Sequence, residues 1–355
     1  MAKKLSNYSQ LLIPIIAILL LILFNLIRDP EFFSVGIAAN NNGFPVLQGN
    51  LISILNGASE LVILAMGMTL VTAASGGQDI SVGALAAIAG SVFVKVLKSG
   101  SSINGGTVIA GFILCCIVAM IFGSGNGTLV ACFKIQPMIA TLILFTCGRS
   151  IAYWINGGAT PTVESPIITA IGSFIPGIPV PTPILIVIVV GIVFALVFRF
   201  TNLGLYVQTV GINQGAARLN GINQIWIKLL AFIILGACCS VAGMINVCRL
   251  SLINHETILI NIEMDAILAV AIGGNSLGGG KFRMIGSVLG AYAIQMLTIT
   301  LYAMKVSSTD VKAYKAVVII ILVVMGSPVV KEAVGNFWNK RIKRSHAAVG
   351  KGAES

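Results

Sequence analysis

Apolar runs long enough to cross a bilayer constrain this chain more than any other feature. Clear runs occupy Leu11–Ile27, Met138–Ile155, Ile184–Phe200, Leu229–Val247, Ile285–Ala303 and Ala316–Val330. A helix rises about 1.5 Å per residue and must cover roughly 30 Å of hydrocarbon, so these read as spans. Leu51–Ala74, Ile80–Leu97 and Thr107–Phe122, with a glycine-rich extension to Val130, read as less clean ones. Only 9% of the residues are charged and the mean hydropathy is +1.00. A soluble domain carries about 25% charge, so a water-covered enzyme and a disordered chain are both excluded. An outer-membrane barrel, with its alternating strands, gives a far weaker signal. The expected fold is all-α, a polytopic transmembrane helical bundle.

Ile258–Asn275 is ambiguous because it contains Glu263 and Asp265. Parity decides it. Lys3 and Lys4 place the N-terminus on the cytoplasmic side. Lys331, Lys340, Arg341, Lys343, Arg344 and Lys351 place the C-terminus there too. The crossings are then even in number, and counting this segment makes about ten. Fourteen basic residues then lie inside, including Lys134, Arg199, Arg218, Lys228, Lys281 and Arg283. Six lie outside: Arg28, Lys98, Arg249, Lys305, Lys312 and Lys315. The formal charge of +11 is thus explained by orientation rather than by nucleic acid. No small-residue cleavage site follows Ile27, so the first run is expected to stay as a helix. Residues 1–330 form the expected transmembrane domain, and 331–355 a basic cytoplasmic tail. The longest gaps, 156–183 and 201–226, are too short for a catalytic domain of about 50 residues.

The seven cysteines lie in or beside apolar stretches without a CxxC pair, which reads as packing rather than metal or disulfide chemistry. Small residues four apart (Gly83 with Ala87, Ala86 with Gly90, Gly123 with Gly127, Gly286 with Gly290) signal close helix contacts.

Two glycine-rich segments interrupt the apolar pattern, Gly76–Gly83 and Gly273–Arg283. Broken helices of this kind mark translocation pathways, because unwound backbone is tolerated only against protein or water. Two plain glycine-rich turns explain the pattern equally well. The second segment is not a P-loop. Aligned on Gly280-Lys281, Asn275 replaces the first glycine and Phe282 the magnesium-binding hydroxyl. The chain is therefore expected to hydrolyse no ATP, to be no enzyme, and to hold no cofactor or metal. Asp79 and Asp265 sit near helix ends, where N-capping accounts for them; Arg149 lies deeper, without an identifiable partner. Residues Gln214–Leu219 read as a short helix opened by Asn213 and closed by Gly221. Such a helix in a cytoplasmic loop suits either docking of a soluble partner or an interfacial connector.

These residues carry a resemblance. Gly76-Gly77-Gln78-Asp79-Ile80-Ser81-Val82-Gly83 resembles the GGIDLSVG signature of permease subunits of bacterial monosaccharide ABC importers, the ribose, xylose and galactose branch. Val210–Asn223 is similar to their GxNxxAARxxGIN loop, and Glu263–Gly274 to their ELDAIAAVVIGG segment, followed by an SLxGGxG-like turn at Ser276–Lys281. The stretch Lys134–Leu144 with Gly148-Arg149 is most similar to the galactofuranose-importing branch. Gln78, before Asp79, and Lys281-Phe282-Arg283 depart from the pattern.

The resemblance implies an inner-membrane permease, paired with a second permease subunit as homo- or heterodimer. Two cytoplasmic ATPase subunits would bind the ATP, and an extracytoplasmic sugar-binding protein would deliver substrate. Asn213, Gln214, Ala216, Ala217, Arg218, Leu219, Asn220 and Gly221 would form the ATPase-coupling loop. A neutral sugar calls for hydroxyl and amide partners, which makes Gln78, Asp79, Ser81, Asn275 and Ser276 the candidate substrate pathway. Two rival readings are a branched-chain amino acid ABC permease and an ion-coupled secondary carrier. The second would be expected to place carboxylates well within its spans.

Overall fold

The structure is a computed structural model that describes residues 2–39, 44–100 and 102–326; the tail expected over 331–355 lies outside the described residues. In chain order the helices are α1 (Ala2–Arg28), α2 (Asn50–Gly57), α3 (Ser59–Ser75), α4 (Val82–Ser99), α5 (Gly105–Ala131), α6 (Pro137–Ile155) and α7 (Pro166–Gly172). There follow α8 (Thr182–Phe200), α9 (Leu203–Ile212), α10 (Gln214–Leu219), α11 (Gln224–Leu250), α12 (Ile262–Ile272), α13 (Met284–Ala303) and α14 (Ser308–Gly326). Between α1 and α2 a small antiparallel hairpin pairs β1 (Gly36–Ala39) with β2 (Pro45–Gln48), Ile37 opposite Leu47. This is the one departure from the all-helical expectation among the described residues. The Leu47 N–H also donates to the Pro179 carbonyl at 3.0 Å, tying the hairpin to the α7–α8 connection.

Helix α3 is the centre. Every residue from Ser59 to Ala74 is buried, the state expected of a helix apolar on all sides. Around it pack α11, α12, α13, α9 and α8, with α4 and α5 beyond α11. The small-residue signal materialises at the α5–α11 crossing. A methyl placed on Gly123 would stand 2.6 Å from the Phe232 carbonyl, and one on Gly236 would stand 2.5 Å from that of Ala119. The backbones touch there, which replaces the hydrophobic drive that lipid cannot supply. Pro137 is the first residue of α6 and Pro183 the second of α8, both suited to a first turn whose N–H groups are unpaired anyway. Asn223 opens α11 by accepting from the N–H groups of Ile225 and Trp226 at 3.1 and 3.3 Å.

Six of the described helices are long and apolar enough to cross a membrane: α4, α5, α6, α8, α11 and α13. Helices α2 and α3, bent by 41° at Ala58, would make a seventh span. The chain is a multi-pass helical membrane protein, but ten crossings do not emerge from length and composition. The segment on which parity turned is the clearest shortfall. Only Ile262–Ile272 is helical there, 11 residues or about 16 Å, half a hydrocarbon core.

Candidate functional site

The two glycine-rich segments, distant in sequence, meet. Gln78 donates from Nε2 to the Leu277 carbonyl at 2.7 Å, and the Gly280 N–H donates to the Ala73 carbonyl at 3.1 Å. Asp79 is fully buried. Its Oδ1 accepts from the Ser81 N–H at 2.7 Å and from the Ser81 hydroxyl at 2.6 Å, while Asn126 Nδ2 donates to that hydroxyl oxygen at 2.9 Å. The extended stretch between α3 and α4 is therefore folded around Asp79, and the Ile80 N–H is taken up by Thr141 of α6.

Asn275 does the equivalent work for the second segment. Its Oδ1 accepts from the Arg283 N–H at 2.7 Å, and its Nδ2 donates to the Arg283 carbonyl at 3.2 Å and the Ser287 hydroxyl at 2.9 Å. Ser287 in turn meets the Thr69 hydroxyl of α3 at 2.6 Å. Gln78, Asp79, Ser81 and Asn275 are all buried; Ser276 is half-buried, its carbonyl accepting from the Gly279 N–H. Four of the five expected pathway residues thus have side chains engaged in holding the two loops.

The expected helix Gln214–Leu219 forms with those bounds as α10. Asn213 Oδ1 accepts from the Ala216 N–H at 3.0 Å. At the other end the Gly221 N–H donates to the Arg218 carbonyl and the Ile222 N–H to that of Ala217, both at 3.0 Å. That pair of bonds needs a left-handed residue at Gly221, whose φ is 75°. Asn220 adds a side-chain bond from Nδ2 to the Ala216 carbonyl. Ala217 is fully buried and seats the helix, whereas Leu219 is 91% exposed at its tip.

The end of α9, which leads into α10, lies against the end of α3 and the second glycine loop. Gly211, near the C-terminal end of α9 and two residues before the α10 cap, has no room for a side chain. A methyl there would run into the Ala73 carbonyl of α3 and lie 2.6 Å from the Gly280 nitrogen. Three backbones therefore converge: the end of α9, the last turn of α3 and the second glycine-rich segment. Gly211 belongs to the quoted loop motif, but nothing in its spacing shows that it must touch two distant segments.

A second constellation escaped the sequence reading. Arg149 of α6 finds its partners in the irregular stretch between α11 and α12. Its Nη1 donates to the carbonyls of His255, Glu256 and Ile258 at 2.9, 3.0 and 3.1 Å. Within that stretch and its ends Ser251, Leu259 and Asn261 all adopt positive φ, at 54°, 46° and 63°. Such conformations cost of order 1 kcal/mol or more each for residues with a side chain, so the guanidinium holds a strained backbone in place. Glu263 supplies the opposing charge. A methyl on Gly83 would meet Glu263 Oε2 at 2.6 Å and Arg149 Nη2 at 3.4 Å, so this glycine lets both side chains approach the first turn of α4. Asp265 does not cap α12; it forms an ion pair with Lys315 of α14. At another site Glu60, at the start of α3, pairs with Arg249 at 3.1 Å. One deep arginine opposite a break in apolar character is the only trace of this constellation in the sequence.

Residues 50–326, from α2 to α14, match the family described as "Branched-chain amino acid transport system / permease component". The chain is 36% identical over 323 residues to the galactofuranose transporter permease protein of Escherichia coli (strain K12), covering 88% of each chain. It is 34% identical over 350 residues to the fructose import permease protein of Bifidobacterium longum (strain NCC 2705), covering 97% of this chain and 95% of that one. A third relative, the ribose import permease protein of Escherichia coli (strain K12), is 34% identical over 314 residues, 88% of this chain and 92% of the other. No solved structure matches. With a buried central helix, broken helices meeting at a joint, and relatives that are transporter subunits over nearly their whole length, the chain belongs to the family of permease components of branched-chain amino acid transport systems.

Proposed function

We propose that this chain is the membrane-spanning permease subunit of a binding-protein-dependent ABC importer, and that it carries a monosaccharide across the bacterial inner membrane. ATP is bound and hydrolysed by a separate subunit docked at α10, with both termini of the permease on that cytoplasmic side. A second permease subunit and an extracytoplasmic sugar-binding protein complete the assembly. The observation that supports this reading best is the contact of Gly211 with Ala73 and Gly280, which links an exposed, doubly capped helix to the two broken segments.

In this reading Ala216, Arg218, Leu219 and Asn220 meet the ATPase while Ala217 seats the helix. ATP-driven movement of α10 pulls on the joint. The loops held by Gln78, Asp79, Ser81, Asn275 and Ser276 then separate, and their amides and hydroxyls become available to a neutral sugar. The sugar-importing relatives favour a pentose or hexose over an amino acid.

The test is Arg218→Glu in the reconstituted transporter with its ATPase and binding protein. Uptake should fall at least tenfold while the permease still inserts and purifies. Unchanged uptake overturns the coupling assignment. With the parent chain, vanadate should stop uptake and a protonophore should leave it intact. A panel of labelled pentoses and hexoses, with leucine as the contrasting substrate, identifies the cargo.

A further inference from the structure

Helix α8 leaves an apolar crevice of about 320 Å³ against α3, α5 and α11, bordered by Leu70, Phe112, Val193, Phe194, Ile234 and Val241. Every side chain lining it is apolar or a cysteine. A file of aromatic rings leads out of it. Phe194 and Phe198 lie 5.9 Å apart, and Phe198 meets Phe282 edge to face at 5.1 Å. Phe282 in turn borders a second pocket of about 470 Å³ that is shared by Gln208, Lys281, Arg283 and Ile285. Lys281 and Ile285 are exposed, so a cationic and an apolar side chain project together at this rim.

The charge around the rim has one sign. The chain segments gathered at this end of the bundle carry Lys134, Arg199, Arg218, Lys228, Lys281 and Arg283. The one acidic residue in the connections 76–81, 132–136, 201–223 and 273–283 is Asp79, which is fully buried and engaged by Ser81. Among the described residues a zwitterionic headgroup would find no exposed carboxylate here for its ammonium. A headgroup with net negative charge would find Lys281, and the Gln208 amide as a neutral donor.

We propose that an anionic phospholipid binds at this place, one acyl chain in the α8 crevice and its phosphate at Lys281. The lipid bridges α8 to the loop that carries Gly280 and to α9, where Gly204 packs against Phe282. Gln208 lies one turn before Gly211 on the same helix, so the headgroup touches the element that joins α10 to the glycine loops. Headgroup charge thereby acts on the joint as well as on the surface.

The experiment places a reporter in the aromatic file, Phe198→Trp, in a full-length chain whose three tryptophans are replaced by phenylalanine, reconstituted in phosphatidylcholine nanodiscs. Phosphatidylglycerol with brominated acyl chains should half-quench the reporter at about a fivefold lower mole fraction than brominated phosphatidylcholine, the equivalent of about 1 kcal/mol for one basic side chain near an anionic surface. Lys281→Gln should abolish that preference and Lys281→Arg should keep it. Equal quenching by the two lipids overturns the proposal, as does a preference that survives Lys281→Gln. Loss of the preference on adding inorganic phosphate identifies a soluble-anion site and also overturns it. Should the reporter variant not fold, native mass spectrometry of the unmodified chain replaces it. Selective retention of phosphatidylglycerol through delipidation supports the site, and equal loss of both lipids refutes it.

Discussion

Helices α3 and α8 are of similar length, 17 and 19 residues, and both are rich in apolar residues, yet one is the core and the other the rim. Helix α8 exposes Ile188, Val189, Ile192, Val193 and Leu196, whereas α3 buries everything from Ser59 to Ala74. The more hydrophobic of the two is on the outside. Helix α8 is built from large aliphatic and aromatic side chains; α3 carries Glu60, Gly67, Thr69 and Thr72. Lipid is as apolar as leucine, so hydrophobicity does not sort helices inward. Small residues that admit a neighbour and polar residues that need one do so.

That contrast can be broken experimentally, most severely at the joint. Gly211→Ala drives a methyl into the Ala73 carbonyl, a backbone atom that cannot turn aside, so uptake in reconstituted vesicles should be lost. Retained uptake would show that the three backbones are free to part. Arg149→Ala leaves the carbonyls of His255, Glu256 and Ile258 without their donor; a loss of about 1–3 kcal/mol is expected from thermal unfolding in detergent. Arg199→Ala, at the exposed end of α8, should change the midpoint little.

Gly67→Leu and Gly191→Leu form a matched pair. A methyl on Gly67 already stands 2.8 Å from Leu235 Cδ1, whereas one on Gly191 meets nothing within 4 Å. Overpacking the first should cost about 1–3 kcal/mol, and the second should be neutral or slightly stabilising. Equal effects would remove the distinction between core and rim. The smallest effect is expected for Thr69→Val combined with Ser287→Ala. A double-mutant cycle should give a coupling of about 0.6 kcal/mol, the usual scale for hydrogen bonds between membrane helices.

The rim was the more legible region. The run Ile184–Phe200 became α8 with two residues added, and Met138–Ile155 became α6 with one, because a long apolar run has no other way to satisfy its backbone in lipid. The short helix Gln214–Leu219 was also legible, since Asn213 and Gly221 are local signals that act within one turn. At the broken segments sequence reading failed. The stretch read as a full span at Ile258–Asn275 is helical over only 11 of its 18 residues, and the irregular chain leading into it is held by an arginine more than a hundred positions earlier. Asp265 looked like a cap and is an ion-pair partner of Lys315. Gln78 and Asn275 could be marked as unusual, but their acceptors, the Leu277 and Arg283 carbonyls and the Ser287 hydroxyl, are brought within reach only by folding.

What the sequence by itself determined is therefore the class of molecule and its local devices: a helical bundle for lipid, two glycine-rich interruptions, and a capped helix in a polar loop. These follow from solvation of the backbone and from contacts within a few residues. Only the tertiary structure decided that α3 lies at the centre, that the two interruptions meet, and that Gly211, just before α10, lies against the end of α3 and the second of them. Those outcomes depend on close approach between helices, and in a membrane such approach is governed by the shapes and unpaired polar groups of both partners at once.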